Sequence, residues 1–209
     1  MFDRLKATWR NNQRIASNFF SLSVLQFVNY LAPLITVPYL VRVLGPEKFG
    51  LVGFATAFTQ YLVTLSDYGF RWSATRKIAV FRDDRDRRHS VFSSVIFVKS
   101  GFAILGLLIL VALLALVPKF GSEWRVYLFA FGTVVGNVLF LDWFFQGMER
   151  MKYIALLNLL SRVVFTVAIF LFIRGPEHYV YVPLFSSLAI VMVGLTSLCT
   201  VRWTVIVVR

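Results

Sequence analysis

The sequence predicts an all-α integral membrane bundle of about six transmembrane helices. Three observations predict it. Of the 209 residues, 58% are hydrophobic and only 15% are charged, against about 25% charged in a typical soluble domain. The apolar residues gather in runs close to the roughly 20-residue length that crosses a bilayer. The 22 lysines and arginines outnumber the 10 acidic residues, giving a net charge of +12, and almost all fall between the runs. In a soluble chain that charge points to nucleic acid; between apolar runs it reports topology, so no nucleic-acid partner is expected.

The elements follow in order. Residues 1–17 are polar and basic and read as a cytoplasmic N-terminal segment; residues 18–205 form the helical lobe. The first span, 18–41, is too long for a signal-peptide core and has no small-residue cleavage site after it, so it reads as a retained helix. Pro33 and Pro38 inside it are expected to kink or break it. Gly45-Pro46-Glu47 introduces the second span, 49–68: proline suits a first helical turn, and glutamate there complements the positive end of the helix dipole. The third span, 91–117, is interrupted only by Lys99 and stopped by Pro118. The fourth, 126–146, carries Asp142 near its end, and the fifth, 153–173, is interrupted only by Arg162. Gly175-Pro176-Glu177 introduces the sixth, 180–202. Trp72, Trp124, Trp143 and Trp203 lie near span ends, where interfacial belts place tryptophan.

Alternating spans sort the basic residues into two sets. Fifteen fall on the side that holds both termini and the segment from Arg71 to Arg88, and five on the other, Arg42, Lys48, Lys119, Arg125 and Arg174. The positive-inside rule puts the first side in the cytoplasm, and with it both termini of a multi-pass protein of the bacterial inner membrane. The run Arg82-Asp83-Asp84-Arg85-Asp86-Arg87-Arg88 mixes signs and reads first as a solvated loop that sets orientation; binding of anionic headgroups is its secondary reading.

Lys99 and Arg162 are the informative charges. A cation at the centre of a spanning helix costs at least roughly 2.5–3.5 kcal/mol, so it usually faces the bundle interior or a watery cavity. Both sit about 12–14 Å from the cytoplasmic ends of their spans at about 1.5 Å per residue. Asp67 and Asp142 lie near the cytoplasmic ends of the second and fourth spans and are cavity or ion-coupling candidates. Converging cations suit a phosphate or pyrophosphate, which arginine binds with paired hydrogen bonds. Arg162 is the first candidate for that contact and Lys99 the second. The structural alternatives are that Lys99 snorkels to the interface and that Arg162 pairs with Asp142 or Asp67 and holds the bundle together.

No enzyme and no cofactor are expected. Lys99-Ser100 lacks the glycine loop of a nucleotide site, and neither H-E-x-x-H nor G-x-S-x-G occurs. Cys199 is the sole cysteine, and His89 and His178 lie in separate loops, so no catalytic residue and no metal site are assigned.

Several motifs, in order, resemble one family. Asn18-Phe19-Phe20-Ser21-Leu22-Ser23-Val24-Leu25-Gln26, followed by Pro33, Pro38-Tyr39-Leu40, Arg42, Leu44-Gly45 and Phe49-Gly50, is similar to the start of Wzx-type O-antigen flippases, in the polysaccharide-transporter branch of the multidrug/oligosaccharidyl-lipid/polysaccharide superfamily. Asp67-Tyr68-Gly69-Phe70 with Ala74-Thr75-Arg76 resembles the segment closing their second helix. Trp143-Phe144-Phe145-Gln146-Gly147-Met148-Glu149 resembles their W-x-x-Q-G-x-E signature, and Asn158 and Arg162 fit their fifth helix.

The resemblance implies movement of undecaprenyl-pyrophosphate-linked oligosaccharide, an O-antigen or other surface polysaccharide unit, from the cytoplasmic to the periplasmic leaflet. It implies alternating access between two similar helical lobes around a cationic cavity. Family members usually have twelve or more helices, so this chain resembles an N-terminal lobe. The implied partners are a lipid-linked oligosaccharide, membrane lipids, and either a missing C-terminal lobe or a homodimer, since a second six-helix copy inserts in the same orientation. Two other readings stand beside it. One is a drug/cation antiporter of the same superfamily, against which the two deepest charges are basic. The other is a non-transporting scaffold or truncated lobe in a polysaccharide assembly complex.

Overall fold

The computed structural model describes the helical backbone of residues 2–207 and the side chains of residues 30–201. The basic residues of segment 1–17, the motif at 18–26, Arg202, Trp203 and Arg209 lie outside the described side chains. The architecture is all-α. Eight α-helices and one 3₁₀ turn follow in order: α1 (Phe2–Asp67), α2 (Phe70–Val80), α3 (Arg85–Leu116), α4 (Pro118–Gly121), α5 (Trp124–Leu139), α6 (Asp142–Gly147), α7 (Met151–Phe172), the 3₁₀ turn (Pro176–Val180) and α8 (Tyr181–Val207). Five stretches are long and apolar enough to cross a membrane: Tyr30–Val80, Arg85–Leu116, Trp124–Gly147, Met151–Phe172 and Pro176–Val201. The chain is a multi-pass membrane protein.

The first stretch is interrupted, and not where its prolines predict. The α1 backbone keeps helical dihedrals through Pro33 and Pro38 and leaves them only at Gly45 (φ 75°, ψ 164°). That region is open to glycine almost alone, and Pro46 restarts the helix with its fixed φ. Apolar surroundings favour keeping the helix through the earlier prolines, because a full break there would strand more backbone groups than each proline removes.

Other ends follow local rules. The Asp84 side chain accepts a hydrogen bond from the Arg87 N–H at 3.0 Å, starting α3 six residues before the predicted apolar span. At the far end, Val117 is extended (φ −113°), as a residue preceding proline should be. The α6 helix ends in a Schellman motif: the Arg150 N–H reaches the Phe145 carbonyl at 2.8 Å and the Glu149 N–H reaches that of Gln146 at 3.1 Å. Glu149 takes the left-handed conformation (φ 56°) in which glycine is usual.

The α5 helix is the central element, packed on α8, α1 and α3. Its contact with α8 is close because three glycines lie in it. A Cβ on Gly132 would meet Ser187 at 2.7 Å, and one on Gly136 would meet the Ile190 backbone at 2.9 Å. A Cβ on Gly194 would meet the Gly136 carbonyl at 2.9 Å. This is small-residue packing of the kind that joins membrane helices. By contrast, α7 is peripheral: only 11% of its most apolar window is buried, against 50% for the α5–α6 stretch.

One predicted position is corrected. Trp143 is not interfacial but 1% exposed, inside a core cluster with Ile78, Leu141, Phe144 and Phe145. The fourth apolar run does not continue as one helix to its end. It breaks at Phe140–Leu141, and the short α6 turns Trp143 inward. Trp72 and Trp124 are exposed, at 77% and 47%.

Candidate functional site

The break between α5 and α6 is the centre of the site. Phe140 still donates to the Gly136 carbonyl at 2.9 Å. The next bond of the ladder, from the Leu141 N–H to the Asn137 carbonyl, is replaced on both sides. The Leu141 N–H donates instead to the Ser197 hydroxyl of α8 at 3.1 Å. The Asn137 carbonyl accepts from Lys99 Nζ of α3 at 3.3 Å. An unsatisfied backbone group in an apolar interior costs several kcal/mol. Two side chains from two other helices therefore make this break tenable.

Lys99 is the more consequential of the two. It is 2% exposed, and its ammonium bonds Asp67 Oδ1 at 2.7 Å. Asp67 closes α1 and keeps 36% of its side chain exposed. Four residues on, Arg71 Nε lies 3.3 Å from Asp142 Oδ2, while the other Asp142 oxygen caps the Trp143 N–H at 2.8 Å. Asp67, Lys99 and Asp142 thus gather at the same end of the bundle, each with a defined partner. Lys99 does not snorkel: its ammonium is held inside by a carboxylate and a carbonyl.

Arg162 lies elsewhere, on the exposed flank of α7, one turn after the exposed Asn158. The carboxylates that sequence reasoning offered it are engaged by other cations, Asp67 by Lys99 and Asp142 by Arg71.

The motif pair Asp67–Arg76 and Trp143–Glu149 forms a single contact. The Thr75 hydroxyl shares its proton between the Arg71 carbonyl and, at 3.1 Å, the Trp143 carbonyl. Gly147 lies so close to α2 that a Cβ would meet that of Ile78 at 2.7 Å. Arg82 closes the latch, donating to the Gly147 carbonyl at 3.1 Å and to Glu149 Oε1 at 2.9 Å. The guanidinium holds the Glu149 carboxyl below the usual carboxylate range, first through the hydrogen bond and then through its charge. At the opposite end, Glu123 accepts from Tyr179 at 2.7 Å and pairs with Lys48 at 3.4 Å, tying α1 to the turns before α5 and α8.

Sequence reasoning missed Asn137, Ser197, Arg71 and Arg82 as site residues. The spacing Gly132-x-x-x-Gly136 was a readable signal for the α5–α8 contact that brings Ser197 into place. Arg71 and Arg82 counted only towards topology. Among the described residues, no three His, Cys, Asp or Glu side chains gather as metal ligands would.

The chain matches the family described as "Polysaccharide biosynthesis protein" over residues 15–208. It belongs to that family. Within the family, the chain is 36% identical over 192 residues to an Escherichia coli (strain K12) protein named "Putative O-antigen transporter", covering 91% of this chain and 46% of the relative. A Shigella dysenteriae protein of the same name is 26% identical over 187 residues, covering 88% of this chain and 46% of the relative. The chain spans about half the length of these curated relatives. No solved structure matches it. The motif pair that resembled O-antigen flippases is thus also a physical unit, the α2–α6 latch of this family member.

Proposed function

We propose that this chain is one lobe of an inner-membrane transporter that moves undecaprenyl-pyrophosphate-linked oligosaccharide from the cytoplasmic to the periplasmic leaflet by alternating access. The observation that carries the reading is the 36% identity, across 91% of the chain, to a protein named as an O-antigen transporter. Family membership and the charged, broken helix inside an apolar bundle support it. Irregular backbone within a membrane is tolerated where protein or a wet cavity meets its polar groups, and discontinuous helices with embedded charges are a recurring feature of transporters.

In this reading, Arg162 makes the first contact with the pyrophosphate, from the exposed flank of α7. Lys99 meets phosphate only when its pair with Asp67 opens, so Asp67 is the ion-coupling candidate. Arg71 holds Asp142 in place at the α6 start. The second lobe comes from further chain, as the length of the relatives suggests, or from a second copy.

The test is translocation of lipid-linked oligosaccharide in proteoliposomes, or restoration of surface polysaccharide in a transporter-deficient strain, with the partner lobe present. Arg162→Ala should lower activity about 10-fold or more, the scale of a lost charge-assisted hydrogen bond. Unchanged activity at normal expression removes Arg162 from the mechanism. Failure of the unsubstituted protein to move any lipid-linked substrate rejects the transport reading itself.

A further inference from the structure

A second feature stands apart from the Lys99 site. A cavity of about 880 Å³ opens between the start of α3 and the last described turns of α8. Its mouth carries Arg85, Arg88 and His89, with Asp86 as the single acid. Its floor is apolar, formed by Phe92 and Phe144 from one side and Leu195 and Leu198 from the other.

The arginines are not spent on internal ion pairs. The neighbouring Arg87 pairs with Asp84 at 3.1 Å. Among the described residues, no carboxylate lies within ion-pair distance of Arg85 or Arg88. Arg88 is half-buried; its Nη1 reaches only the Met148 sulfur at 3.9 Å, and its Nε is buried without any hydrogen-bond partner. A thioether is a weak acceptor, and a buried guanidinium nitrogen left unmade is costly. This geometry suits an acceptor with several anionic oxygens arriving from outside.

The apolar floor narrows the choice. A free anion would use the mouth and leave the floor empty. An amphiphile with a phosphate head and a hydrocarbon chain fills both, and the cavity lies at a span end, where headgroups sit. We propose that this cavity binds an anionic phospholipid, its phosphate between Arg85 and Arg88 and an acyl chain along Phe92, Phe144, Leu195 and Leu198. The site rests on the membrane fold alone. It needs neither the transport reading nor a particular orientation, since phospholipids occupy both leaflets.

Native mass spectrometry of the detergent-solubilised protein, titrated with phosphatidylglycerol, phosphatidylcholine or inorganic phosphate, tests it. Phosphatidylglycerol should be retained most strongly. Arg85→Gln or Arg88→Gln should each weaken retention about 5-fold, and the pair roughly 30-fold, the scale expected for basic residues near an anionic lipid. Leu195→Trp, which leaves the arginines in place, should also weaken it by filling the floor. Equal retention of phosphatidylcholine, or unaltered retention in the double arginine variant, overturns the assignment. Displacement of phosphatidylglycerol by inorganic phosphate at matched concentration, or unaltered retention in Leu195→Trp, overturns the lipid as occupant. If the double arginine variant does not elute as a monodisperse species, the Leu195→Trp and lipid-competition arms decide alone.

Discussion

Lys99 and Asp67 share one short ion pair but have different surroundings. The ammonium side chain is 3% exposed, while the carboxylate side chain keeps 36%. Removing one partner of a buried pair is costly chiefly because it strands the other charge. The cost should therefore be lopsided. Asp67→Asn leaves a buried cation with only the Asn137 carbonyl and should destabilise by about 3 kcal/mol, the lower end for broken buried pairs. Lys99→Met leaves a carboxylate that retains exposure, though it also orphans the Asn137 carbonyl, for a loss of about 1–2 kcal/mol. Thermal unfolding in detergent of both singles and the double variant checks this. Equal losses would show that the two groups are desolvated alike. At this scale the sequence was half legible. An embedded lysine stands out in an apolar run, and so do its depth and sign. Its partner is 32 residues away, beyond the turn that reverses the chain and the whole of α2, and no spacing rule joins them.

At the scale of helices, the two breaks show what local sequence can and cannot carry. Gly45-Pro46 announces its break, because a glycine-only conformation and a fixed proline φ are properties of those residues. The break at Phe140–Leu141 has no glycine or proline and lies in an unbroken apolar run. It exists because Lys99 and Ser197 take the two groups the ladder gives up, which is a tertiary fact. Pro33 and Pro38 are the converse: strong local breakers that α1 passes through. Ser197 reaches Leu141 only because α5 and α8 approach through their glycines. Gly136→Ala places a methyl group 2.9 Å from the Ile190 backbone, which cannot rotate away. The helices must part, at about 1–3 kcal/mol for overpacking. Gly101, around which a Cβ meets nothing within 4 Å, is the matched control and should tolerate alanine with little change in melting temperature. Equal tolerance at both sites would mean that α5 and α8 are not held in close contact.

Across the whole molecule, polar fastening is confined to the two ends and the middle is apolar. One end carries Lys99–Asp67, Arg71–Asp142 and Arg82–Glu149, and the other Lys48–Glu123–Tyr179. The first end also carries the surplus of basic residues, and charge asymmetry of that kind orients membrane proteins. The proposed orientation puts it in the cytoplasm. Cys199 is the sole cysteine and is exposed, so Cys199→Ser provides a thiol-free background for measuring sidedness. Two exposed positions at opposite ends serve as reporters, Arg85 and Lys119. In intact cells, a membrane-impermeant maleimide should label Lys119→Cys readily and Arg85→Cys only after permeabilisation, with a difference of 10-fold or more, since the bilayer rather than local reactivity sets it. The reverse pattern would invert the lobe and move the Lys99–Asp67 end to the periplasm. The first phosphate contact would then lie on the side where the substrate leaves rather than where it enters, and the direction of transport proposed for this fold would no longer follow from its charges.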